Sequence, residues 1–96
     1  MDVANEILAQ LGGRRFLAMT GAKNLLGSAS ALSMKLPSAA SRISHVRVTL
    51  TAMDDYTVDF LSIRGTTIKT VRSVAGVYCD NLRAVFETNT GLYTSL

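Results

Sequence analysis

Residues 46–63 constrain this chain more than any other stretch, because apolar and polar side chains alternate through them on both sides of a turn. Val46, Val48 and Leu50 alternate with Arg47, Thr49 and Thr51, and after Met53-Asp54-Asp55 the residues Tyr56, Val58 and Phe60 alternate with Thr57 and Asp59. A period of two puts the apolar set on one sheet face and the charged and hydroxyl set on the other. The stretch therefore reads as two antiparallel strands folded back on each other. Burying one face of a hairpin stabilises it by less than the ordering of its backbone costs, so other elements must cover the apolar side.

The flanking sequence supplies them. Residues 2–11 read as a helix, with Asp2 as its cap and Val3, Ile7, Leu8 and Leu11 on one face. Gly12-Gly13 stops it, and Arg14-Arg15 lead into an expected first strand at residues 16–20. Residues 20–24 read as a turn, followed by Leu25-Leu26 and a small-residue stretch at 27–31. In the next strand Leu32, Met34 and Leu36 point inward while Ser33 and Lys35 point out, until Pro37 closes it. Residues 38–44 form a polar loop containing Arg42.

After the central hairpin, Arg64-Gly65-Thr66 turns the chain into a strand at residues 67–74, whose mixed pattern suits a sheet edge. Ala75-Gly76 breaks it, and a second helix is expected at residues 77–88. Its stripe would be Tyr78, Leu82, Val85 and Phe86, with Asp80 near its start and Gly91 as its stop. The order helix, about five strands, helix gives an α+β fold. This is a two-layer sandwich in which an antiparallel meander carries the N- and C-terminal helices on one face. The other face would present Lys35, Arg47, Thr49, Thr51, Thr57, Asp59, Thr67 and Lys69.

With 96 residues, 48% of them apolar and 18% charged, the chain reads as one globular domain spanning residues 1–96. No apolar run approaches the ~20 residues needed to cross a bilayer, and no basic, then apolar, leader opens the chain, so no membrane role is expected and the expected location is the cytoplasm. A lone cysteine, Cys79, agrees with a reducing compartment. The net charge is only +3, but it is unevenly spread. Residues 7–53 hold no acidic side chain while carrying Arg14, Arg15, Lys23, Lys35, Arg42 and Arg47. That asymmetry is the footprint of an anionic partner or of a solubilising surface.

Catalytic constellations are not evident. His45 and Cys79 could pair only if the fold brought two strand ends together; a surface imidazole and a small buried thiol are the plainer reading. One histidine and one cysteine cannot make a metal site, and Asp54-Asp55 is ordinary turn chemistry, with Asp59 facing Arg47 or Lys69 across strands. No cofactor is expected. Thr20-Gly21-Ala22-Lys23 lacks the second glycine and the Lys-Ser/Thr pair of a phosphate loop, and Gly12-Gly13-Arg14-Arg15 reads as a helix stop followed by solvated charges. What remains is a nucleic-acid-binding set of Arg14, Arg15, Lys23, Lys35, Arg42, Arg47 and Lys69, interleaved with threonine hydroxyls. The aromatic residues Phe16, Tyr56, Phe60, Tyr78, Phe86 and Tyr93 fall mostly on the core side, which argues against base stacking and for weak, salt-sensitive binding. The competing class is a protein-binding module. It would use the edge strand at 67–74, the C-terminal helix, or the tail at 92–96 packed on a second copy or another protein.

Three segments carry a resemblance: TGAKN at residues 20–24, DDYTVDFLSIRG at 54–65 and VYCDNLRAVFETNTGLYTSL at 77–96. In these the chain resembles a family of small proteins encoded by bacteriophages and prophages. The resemblance brings with it no catalytic or binding residue. It implies a short accessory protein acting inside an infected bacterium, where such proteins commonly bind DNA or host proteins, defence systems included; with no catalytic constellation in the residues, a non-enzymatic binding protein is expected.

Overall fold

A computed structural model describes residues 3–37 and 42–92 of the chain. Its elements are α1 (Val3–Leu11), α2 (Arg14–Thr20), β1 (Lys23–Gly27), β2 (Ala31–Lys35), β3 (His45–Leu50), β4 (Tyr56–Arg64), β5 (Thr67–Val77) and α3 (Leu82–Thr90). The strands form one sheet in the order β1-β2-β3-β4-β5, each antiparallel to the next. This is the expected α+β architecture, an antiparallel meander with helices from both ends of the chain.

The central hairpin forms as its alternation demands. Val46 lies opposite Phe60, Val48 opposite Val58 and Leu50 opposite Tyr56, and all but the half-buried Leu50 are buried. The turn closes through the Thr51 N–H donating to the Asp55 carbonyl at 2.9 Å, with Asp54 at φ 64. Aspartate tolerates that left-handed backbone better than most residues. On the same side of the sheet, Leu32, Met34, Val46, Val48, Val58, Phe60 and Val77 meet Ile7 and Leu11 of α1, Phe16 of α2, and Leu82 and Phe86 of α3. The rings of Phe16 and Phe86 cross edge to face at 5.0 Å, joining the two later helices over the sheet. Close approach of α1 to β1 is secured by Gly27, where a Cβ would come within 2.7 Å of the Ala4 Cβ.

Several boundaries differ from expectation. Residues 16–20 are not a strand but the body of α2. Phe16 and Thr20, four apart, are both buried, and the Thr20 hydroxyl donates back to the Phe16 carbonyl at 2.7 Å. The first strand is instead β1, exposed throughout and irregular between Lys23 and Leu26, which is why it shows no alternation. The last helix starts at Leu82, five residues later than the sequence pattern suggests. Val77 closes β5, Tyr78 is 56% exposed, and Cys79 is an exposed thiol, not a buried one. The reason is a turn in which the Tyr78 N–H donates to the Asn81 Oδ1 at 2.7 Å, ahead of the first helical residue. The Asp2 cap, the loop residues 38–41 and the tail residues 93–96 lie outside the described residues. Leu92 packs against the core.

The largest departure is in β5, which has eleven residues and two bulges. Phe60 faces Arg72 while Leu61 faces Thr70, so Val71 has no partner; Val58 faces Val74 while Tyr56 faces Val77, which leaves a second extra residue beside Gly76 at φ 69. Glycine supplies that left-handed position without a steric penalty, and bulges of this kind twist an edge strand and shift its side-chain phase.

Candidate nucleic-acid interface

Cross-strand partners project from the same side of a sheet, so the register assigns every basic side chain to a face. On the side away from the helices, Lys23 lies opposite Lys35, Lys35 opposite His45, His45 opposite Leu61 and Leu61 opposite Thr70; Leu61 is buried there and Lys35 and His45 are half-buried. A parallel row runs Ser33, Arg47, Asp59, Ser73. Five neighbouring strands at ~4.8 Å spacing make each complete row about 19 Å long. Lys35 and Arg47 thus share one face as expected, and Lys23, expected in a turn, joins them as the first residue of β1; Asp59 sits across from Arg47, with the Ser73 hydroxyl donating to its Oδ1 at 2.6 Å.

Lys69 does not join them. It lies opposite Ser62, and Ser62 is in phase with the buried Phe60, so both point to the helix side, as do Thr67 and its partner Arg64. The bulge at Val71 is the cause: it shifts the phase of residues 67–70 relative to residues 72–74, which an unbroken period of two cannot anticipate.

The helices do not cover this end of the sheet. Arg42, Ser62, Arg64, Thr67, Lys69, Thr70 and Val71 line a cavity of about 410 Å³ there. Three cations and three hydroxyl groups converge on it, and no carboxylate is among its lining residues. Arg42 comes from the connection before β3 and adopts a left-handed backbone, φ 65. Beyond Val71, a second depression of about 370 Å³ is bordered by Ile43, Val71, Arg72, Thr88 and Asn89, so Arg72 continues the basic rim. Of the expected set, Arg42 and Lys69 are brought together here. Arg14 and Arg15 stand exposed at the start of α2 and line neither recess. Arg64 and Arg72 are the residues that sequence reasoning missed. Counting in steps of two from Phe60 through Ser62 would have reached Arg64; Arg72 is hidden by the bulge.

The remaining candidates for chemistry are separated. His45 opens β3 opposite Leu61, whereas Cys79 follows Val77, which lies opposite Tyr56 at the far end of the hairpin. About five residues of strand, ~17 Å, lie between those ends, too far for a thiol–imidazole pair. Burial, and then the nearby Lys35 charge, hold the His45 pKa below its ordinary value. Burial likewise pushes the Tyr56 hydroxyl up, against a hydrogen bond with Gln10 that pulls it down. Among the described residues no three His, Cys, Asp or Glu side chains gather as metal ligands would, and no helix is long and apolar enough to cross a membrane. No protein-family model matches the chain, and neither a curated protein nor a solved structure matches it.

Proposed function

We propose that this chain is a non-enzymatic accessory protein of phage or prophage origin that binds nucleic acid through its phosphate backbone. The observation that carries the reading is the carboxylate-free cavity where Arg42, Arg64 and Lys69 meet Ser62, Thr67 and Thr70. Guanidinium and ammonium groups hold phosphate oxygens by charge-assisted hydrogen bonds, and hydroxyls add donors without adding charge. Lys23 and Lys35 stand side by side on the opposite face of the sheet, apart from this cavity. The origin rests on the resemblance of residues 20–24, 54–65 and 77–96 to phage and prophage proteins.

Titration of fluorescent single- and double-stranded oligonucleotides at about 20 and 200 mM salt tests the reading. Binding is expected to weaken with salt at a log–log slope near −2 for single strands, as neutralisation of about three phosphates requires. An Arg64→Glu, Lys69→Glu double variant is expected to lose at least tenfold in affinity. Absence of binding at the lower salt rejects the proposal.

A second reading, docking on a host or phage protein, draws on the exposed outer strand β5, where Ile68 is 62% exposed. Its bulges interrupt the regular ladder that strand addition needs. A stoichiometric protein partner retained from nuclease-treated lysate, and lost in an Ile68→Lys variant, would favour this second reading over the first.

A further inference from the structure

We infer that the Arg42–Arg64–Lys69 cavity takes a terminal phosphate, a phosphate monoester at the end of a nucleic-acid strand, in preference to an internal phosphodiester; this rests on the nucleic-acid reading above. Charge is the first argument. An internal phosphodiester carries one negative charge, whereas a monoester approaches two at neutral pH, its second pKa being about 6. Three cations with no carboxylate in the lining match the more highly charged group better. Arginine adds geometry, since its planar fork engages two oxygens of one phosphate at once, and a monoester presents three unesterified oxygens for Arg42, Arg64 and Lys69 to share.

The shape of the lining is the second argument. At about 410 Å³ the cavity holds a phosphate together with its sugar, within the range of small-ligand sites. None of its lining residues is aromatic, so it offers no platform for stacking a base and selects for the phosphate end of a nucleotide.

The probes are one labelled twelve-nucleotide single strand in three forms, with a 5′-phosphate, a 3′-phosphate or hydroxyls at both ends, measured by anisotropy with adenosine monophosphate as competitor. At least tenfold tighter binding of one phosphorylated form is expected at pH 7.5. That preference should shrink at pH 5.5, where the monoester takes up its second proton, and should vanish in an Arg64→Ala, Lys69→Ala variant. Equal binding of the three forms overturns the inference and leaves the nucleic-acid reading standing, as does a preference that survives in the Arg64→Ala, Lys69→Ala variant. Adenosine monophosphate binding as tightly as the phosphorylated strand also overturns it, since the ligand is then a free monoester. No binding of any form removes both.

Discussion

Ser44 and His45 sit where the loop after β2 enters the sheet, and their hydrogen bonds make a small pH-dependent clamp. The Ile63 N–H donates to the Ser44 Oγ at 2.9 Å, and the same oxygen lies 2.8 Å from the His45 Nδ1. That oxygen has a second lone pair beside the one Ile63 uses, and its own proton can go to the Leu61 carbonyl at 3.5 Å, so the direction of the His45 contact follows the imidazole tautomer. Partial burial and the Lys35 ammonium both disfavour the charged ring, so the folded pKa lies below the ordinary 6.5. The sign follows. Above pH 6.5 the ring is neutral folded or unfolded, and the stability is fully present; as pH falls below that value the unfolded chain takes up the proton first, and stability is lost until the folded pKa is passed. His45 is the chain's only histidine, and most carboxylates titrate below pH 5. The urea midpoint should therefore fall between pH 7.5 and 5.5 in the native chain and stay nearly level in a His45→Gln variant. An equal fall in both would show that the histidine is not the responsible group.

At the scale of elements, α2 and α3 end in the same device. Phe16, Thr20 and Gly21 correspond to Phe86, Thr90 and Gly91, a shared pattern F-x-x-x-T-G. In each, the buried threonine hydroxyl donates to the phenylalanine carbonyl, at 2.7 and 2.8 Å, and accepts the N–H two residues on, from Ala22 and Leu92, both at 3.2 Å. The glycine takes the left-handed cap conformation at φ 69 and φ 73, returning its N–H to Leu17 and Glu87. The device satisfies end groups that two short helices would otherwise bury unpaired. Thr20→Val or Thr90→Val keeps the shape but strands a backbone N–H, and each is expected to cost about 1–3 kcal/mol in chemical denaturation. A change under 0.5 kcal/mol would mean water replaces the hydroxyl. These two endings lie 70 residues apart, the offset from Phe16 to Phe86, and are local devices and not units of a solenoid. Legibility followed burial. β2, β3 and β4 alternate because one face of each is buried, and α1 shows its stripe for the same reason. α2 is seven residues long, too short for helical periodicity to stand out from an irregular apolar run. β1, exposed along its whole length, leaves no pattern at all.

Over the whole molecule, the apolar roof and the basic rim occupy different parts of one side of the sheet. Ile7, Leu11, Phe16, Leu82 and Phe86 cover its centre, and Arg42, Arg64, Lys69 and Arg72 fringe the part of β4 and β5 that the helices leave bare. The side shared by Lys35 and Arg47 followed from their alternation, and the excess of cations over acids in residues 7–53 was plain in the sequence. The convergence was not, because Arg42 is separated from Arg64 and Lys69 by most of β3 and β4, and a bulge decides on which side Lys69 emerges. The division predicts that folding and binding can be altered independently. Phe86→Ala empties the contact with Phe16 at the centre of the roof, and truncations of this kind cost about 3–5 kcal/mol, a large part of what a domain of this size possesses. Its melting temperature should drop by more than 10 °C for a loss of that size, while oligonucleotide affinity measured well below that temperature stays within twofold of the native value. Arg64→Ala with Lys69→Ala should do the reverse: both side chains are exposed, so the melting temperature moves by no more than a few degrees while affinity falls at least tenfold. Loss of binding in the folded Phe86→Ala variant would mean that α3 itself shapes the basic recess, through Thr88 and Asn89 at its rim, and that roof and rim act as one element.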